Sequence, residues 1–123
     1  MLKPIGNSAE QTLAYQCLSD KLPPFEQNYR FHPNRKYEID LAFPRLKVGV
    51  EVNGGVWNGA TGAHGSPLKI LRDMEKGNLL VLAGWRVLRY TPSEVENGAA
   101  IAGLKQLIEG IIHGTEKSTA HPA

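Results

Sequence analysis

Asp40 and Glu51 lie in two short segments whose patterns bring them face to face, and a pair of close carboxylates is a site for a cation. From Lys36 to Phe43, the residues Tyr37, Ile39, Leu41 and Phe43 alternate with Lys36, Glu38, Asp40 and Ala42. This period of two predicts a strand with one apolar face. From Lys47 to Asn53, Val48, Val50 and Val52 alternate with Lys47, Gly49, Glu51 and Asn53, and Pro44-Arg45-Leu46 supplies a turn. The apolar residues are odd-numbered on the first strand and even-numbered on the second, so a shared apolar face requires paired numbers with an odd sum. A turn at Arg45-Leu46 pairs Phe43 with Val48, Leu41 with Val50 and Ile39 with Val52, and sets Asp40 across from Glu51 on the other face. Opposed residues have β-carbons about 4.5–5.5 Å apart. Two carboxylates at that distance repel unless one is protonated or a cation lies between them. A hard divalent ion, Mg2+ or in its place Mn2+, is the simplest resolution. Ala42 and Gly49 leave room around the acids. A register shifted by two, or an open solvated face, would leave the acids without that role.

The elements that must position this pair follow from the rest of the chain. Ser8 and Gln11 form a capping-box pattern that opens a helix to about Lys21, stopped by Pro23-Pro24; its apolar stripe is Leu13, Ala14, Cys17 and Leu18, with Glu10 on the inward edge. A short strand is expected around Tyr29 to Phe31. After the hairpin comes a glycine-rich loop, Gly54 to Gly65, carrying Trp57 and His64. Ser66-Pro67 caps and opens a second helix to Ala83, with Gly84 as its stop. Arg86 to Tyr90 reads as a strand, and a last helix as running from Pro92 or Ser93 to His113. The short polar end, residues 114–123, is expected to be a disordered tail. The expected fold is α/β, a mixed sheet with flanking helices in the order αβββαβ, in a single domain over residues 1–113.

At 123 residues and 41% apolar content the chain suits one domain. A net charge of +2 permits a nucleic-acid partner without arguing for one. Cys17 is the single cysteine, which excludes an internal disulfide and a multi-cysteine zinc site. There is no signal-peptide pattern at the start and no apolar run of the roughly 18 residues that span a bilayer, so a soluble, cytoplasmic protein without a membrane partner is expected.

The ordered set Tyr37-Glu38-Ile39-Asp40-Leu41-Ala42-Phe43-Pro44, Glu51-Val52-Asn53-Gly54-Gly55-Val56-Trp57, Gly62-Ala63-His64, Arg72-Asp73-Met74-Glu75-Lys76-Gly77-Asn78 and Gly84-Trp85-Arg86-Val87-Leu88-Arg89-Tyr90 resembles the PD-(D/E)XK nuclease superfamily. Within it, the set is similar to small phage-type endonucleases related to the very-short-patch repair enzymes. The resemblance covers residues 36–95. It implies a restriction-endonuclease-like core and magnesium-dependent hydrolysis of DNA phosphodiester bonds in a bacterial or phage-infected cell. It also implies metal ligation by Asp40, Glu51 and the backbone carbonyl of Val52.

Two positions depart from the motif. Ile39 replaces proline, a small change. Asn53 replaces lysine, and asparagine neither carries the charge nor exchanges a proton with water. By the resemblance Lys76, on the following helix, is one substitute; His64 is the other, as general base or phosphate contact. Taken alone, Lys69, Arg72 and Lys76 form an ordinary solvated helix face, and His64 a surface histidine. The family also supplies an acid from its first helix, which here is Glu10; otherwise Glu10 is an acid at a helix N-terminus. Trp57, His64, Lys69 and Arg72 are candidate DNA contacts. The loss of the motif lysine supports an alternative, a catalytically inactive nuclease-fold module that binds DNA. Retention of both acids argues against it, because paired negative charge beside phosphates does not help a binder. Cutting both strands with so small a domain calls for a homodimer.

Overall fold

The computed structural model describes residues 8–53 and 66–120. The elements are α1 (Ser8–Ser19), β1 (Glu26–Arg30), β2 (Glu38–Phe43), β3 (Val48–Val52), α2 (Pro67–Leu82), β4 (Arg86–Tyr90), α3 (Pro92–Glu96) and α4 (Ala99–Ala120). The strands form one open sheet in the order β1-β2-β3-β4. The β1-β2 and β2-β3 pairs are antiparallel and β3-β4 is parallel, with α2 as the crossover. The protein is thus α/β with a mixed sheet and flanking helices. Among the described residues no helix is long and apolar enough to cross a membrane.

The sheet is covered on both sides, which is why all five residues of β3 are buried. On one side Leu41, Phe43, Val48, Val50 and Val52 pack with Leu13, Ala14 and Cys17 of α1, Val95 of α3, and Ala100, Leu104 and Ile108 of α4. A second, smaller core joins Ile39 and Ala42 to Leu80 of α2 and to Trp85, with Tyr29, Phe31 and Val87 at its margin. The hairpin register is the one the alternation requires: Phe43 pairs with Val48, Ala42 with Gly49 and Leu41 with Val50, across a turn spanning Pro44 to Lys47.

Tyr37 and Ile39 depart from the single apolar face expected of this strand. Ile39 belongs to the second core, with Ala42, and Tyr37 precedes β2 and donates its hydroxyl to Glu75 Oε1 at 2.7 Å. Asp40 is the residue at this break in alternation. Facing it in the register is Asn28 of β1, whose φ of 51° is left-handed, while the pairs on either side, Gln27 with Leu41 and Tyr29 with Ile39, keep one register.

Ile39 in its new position packs over Gly49, the ladder partner of Ala42. A β-carbon added at Gly49 would lie 2.7 Å from Ile39 Cγ2. Gly49→Ala should therefore destabilise the fold by about 1–3 kcal/mol, the usual cost of overpacking. Urea unfolding checks this, and an unchanged midpoint would show that Ile39 gives way freely.

Two terminal regions also differ from expectation. Thr91 and Glu94 form a complete capping box with Pro92 in the first turn, but the helix stops at Asn97. Gly98 takes φ 89°, and Asn97 Oδ1 accepts from the Ala99 N–H at 2.9 Å to start α4. The single expected last helix is therefore two, because Asn-Gly favours a left-handed stop. α4 then continues past His113 through Ala120.

Candidate active site

Past Leu41 and Val50 the β2-β3 ladder ends, and the two strands fork. Asp40 fills the fork: its Oδ2 accepts the Val52 N–H at 2.9 Å, where a backbone carbonyl would stand in a continuing ladder. The N–H and C=O of one residue in a strand point to the same side, so the Val52 carbonyl also opens toward Asp40. Glu51 occupies the position across the fork and is 7% exposed.

Glu51 is held by two cations. Lys76 Nζ, from the middle of α2, donates to its Oε2. Arg89 is aligned with Glu51 by the parallel register of β3 and β4, and its Nε lies 3.4 Å from Oε1. The position of Lys76 is fixed by its surroundings. One residue earlier, Glu75 accepts from Tyr37 and forms a 2.8 Å ion pair with Arg35. One turn later, Leu80 is buried in the second core. At the end of α2, Lys47 Nζ donates to the Ala83 carbonyl at 2.8 Å, and Gly84 with φ 84° releases the chain into β4.

The acids feel one another. Burial raises the Asp40 pKa above its ordinary value, and the charge of Glu51 adds to this, against lowering by the Val52 N–H and Lys76. Glu10, in the first turn of α1, is also raised, by burial first and then by the charge of Asp40. The fork thus gathers Asp40, Glu51, Glu10 and Lys76, drawn from both flanking layers.

These raised acids make a thermodynamic prediction. A carboxyl whose folded pKa exceeds its unfolded value binds more protons in the native state, so stability falls as pH rises through the window between the two values. Asp40→Asn removes the charge but keeps an acceptor for Val52. In the metal-free protein it should raise Tm at pH 7. The gain should vanish below pH ~4, where the aspartate is itself protonated. Thermal melts at the two pH values provide the measurement, and a loss of stability at pH 7 would mean that Asp40 is a structural partner and not a strained acid.

Other expected residues stand apart from the fork. Lys69 is exposed and paired with Asp73 at 3.5 Å. Arg72 is exposed and lies near enough to Tyr37 to favour its ionised form. Asn53 extends the sheet by donating its backbone N–H to the Tyr90 carbonyl at 2.9 Å. Trp57 and His64 lie outside the described residues. The contact of Arg89 with Glu51 and the Arg35-Tyr37-Glu75 brace escaped sequence reasoning. Arg89 has no signal within β4: its place beside Glu51 follows from the register of the parallel β3-β4 pair.

Among the described residues no group of three or more His, Cys, Asp and Glu side chains is placed to hold a metal ion by itself. The fork instead offers two carboxylates and a backbone carbonyl. That all-oxygen set suits a hard cation that keeps several waters, as magnesium does. The Glu51 charge, which adds to the burial that raises Asp40, is what such a cation would offset. No family model matches the chain, and no curated protein or solved structure matches it.

Proposed function

We propose that this chain is a metal-dependent endonuclease that hydrolyses DNA phosphodiester bonds, on a restriction-endonuclease-like core. The observation that carries the reading is the bond from Lys76 of α2 to Glu51 of β3, next to the Val52 N–H that holds Asp40 of β2. Two acids and a lysine at the end of a central strand match the resemblance read from residues 36–95, with the lysine supplied by α2.

Asp40, Glu51 and the Val52 carbonyl would hold the cation, which when bound polarises a phosphoryl oxygen and makes water more acidic. The protein groups do the rest. Val52 N–H fixes one oxygen of Asp40, leaving the other to face the site. Lys76, 19% exposed at its side chain, is close enough to stabilise charge that builds on the phosphoryl oxygens and to orient the attacking water. Glu10, near enough to feel the charge of Asp40, would serve as an outer acid that accepts a hydrogen bond from that water.

The test is incubation of the purified chain with linear, nicked, mismatched and branched DNA, with Mg2+ or Mn2+ and with chelator. Cleavage of at least one of these DNAs is expected with the divalent ion and none in chelator. DNA binding that is indifferent to chelator, with no cut under any condition, would instead mark a binding module that keeps the fold.

A further inference from the structure

Glu51 is one carboxylate facing two cations, and the two are differently placed. The Lys76 side chain is 19% exposed and enclosed between α2 and the sheet. The Arg89 side chain is 49% exposed, on β4, an edge strand of the sheet. Its contact with Glu51 runs through Nε at 3.4 Å, a loose ion pair. Nη1 and Nη2 form the guanidinium fork that matches a phosphate with two parallel hydrogen bonds.

The charges at the fork sharpen the point. Asp40, Glu51, Lys76 and Arg89 sum to zero when all are ionised, and Glu10 brings the fork to minus one. A divalent cation on the two acids brings the total to plus one, and both side-chain cations then compete with it for Glu51. The looser and more exposed of the two is the one free to turn outward. A phosphodiester carries one negative charge, so the site with its cation is matched to one phosphate of the backbone.

Resting on the nuclease reading above, we infer that Arg89 is a substrate-binding residue, whose guanidinium leaves Glu51 and holds a DNA phosphate at the β4 edge of the site. The class of ligand is the backbone of DNA, contacted without reference to base sequence.

The test uses fluorescence anisotropy of a labelled duplex of about 20 base pairs with the full chain, in Ca2+, over a range of salt concentrations. Wild type, Arg89→Ala and Arg89→Lys are compared, with thermal melts to verify folding. Arg89→Ala should weaken binding about five- to tenfold near 0.1 M salt and reduce the slope of log K against log salt by about 0.9, the loss of one phosphate contact. Arg89→Lys should restore the slope but only part of the affinity, because lysine meets phosphate as a point charge. Unchanged affinity and slope in Arg89→Ala, with wild type binding and cutting normally, would overturn the inference and leave Arg89 as a neutraliser of Glu51 only. A wild type that neither binds nor cuts DNA would overturn the inference and the nuclease reading together. These two failures differ in the behaviour of the wild-type protein.

Discussion

Asp40→Asn and Glu51→Gln should each lower the rate of DNA cleavage by about a thousandfold or more, while leaving DNA binding intact or tighter. The two substitutions preserve shape and remove one negative charge each. In a hydrolysis that depends on a bound cation, loss of a ligand charge removes both the site of the ion and the stabilisation of the attacked phosphate, and removal of a single transition-state contact already costs about 10²–10³. Less negative charge at the fork also means less repulsion of DNA. The two variants should diverge in stability. Asp40→Asn relieves a strained acid, whereas Glu51→Gln deprives Lys76 and Arg89 of their shared partner. Single-turnover cleavage with anisotropy on the same duplex measures both effects. Cleavage at an undiminished rate by either variant would remove that residue from the site.

Lys76→Ala should lower cleavage by about 10²–10³, on the scale of losing one preorganised donor at a developing anion. Binding of DNA should change far less. Lys69→Ala, two turns earlier on α2, should reverse the pattern: near-normal cleavage at saturating DNA and a smaller salt dependence of binding. The contrast rests on placement. Lys76 touches Glu51 and is largely enclosed, while Lys69 pairs with Asp73 in solvent. Lys76→Ala also removes a cation that competes for Glu51, so affinity for Mn2+ should rise even as cleavage falls. Equally small losses of cleavage in both variants would return Lys76 to an ordinary basic face and leave His64 as the candidate base.

Much of this arrangement was legible in the chain because periodicity is a local property. The alternation of Leu41, Phe43, Val48 and Val50 fixed the hairpin register, and with it the nearness of Asp40 to Glu51. Ser66, Pro67 and Gly84 bounded α2 by their own backbone preferences. What stayed hidden depended on partners distant in sequence. The second core of Ile39 with Leu80 and Trp85 needs knowledge of where α2 returns. The left-handed backbone at Asn28, which the register sets opposite Asp40, lies on a different strand from that acid. The break at Asn97-Gly98 is local, an Asn-Gly stop inside the expected last helix. Arg89 required the parallel register, which is set by a crossover and not by any pattern within β4.

Mechanically, α2 is a beam clamped at one end. Its C-terminal part is fixed by Leu80, Trp85 and the bond from Lys47 to Ala83, whereas every residue from Leu68 to Met74 is exposed, including Leu68, Ile70, Leu71 and Met74. Deflection of such a beam grows with distance from the support. Lys76 sits one turn from the clamp, steadied further at Glu75, so its ammonium keeps its place beside Glu51 whatever load falls on the outer turns. The placement of Lys76 therefore rests on the clamped end and on Glu75, and not on the outer turns of α2.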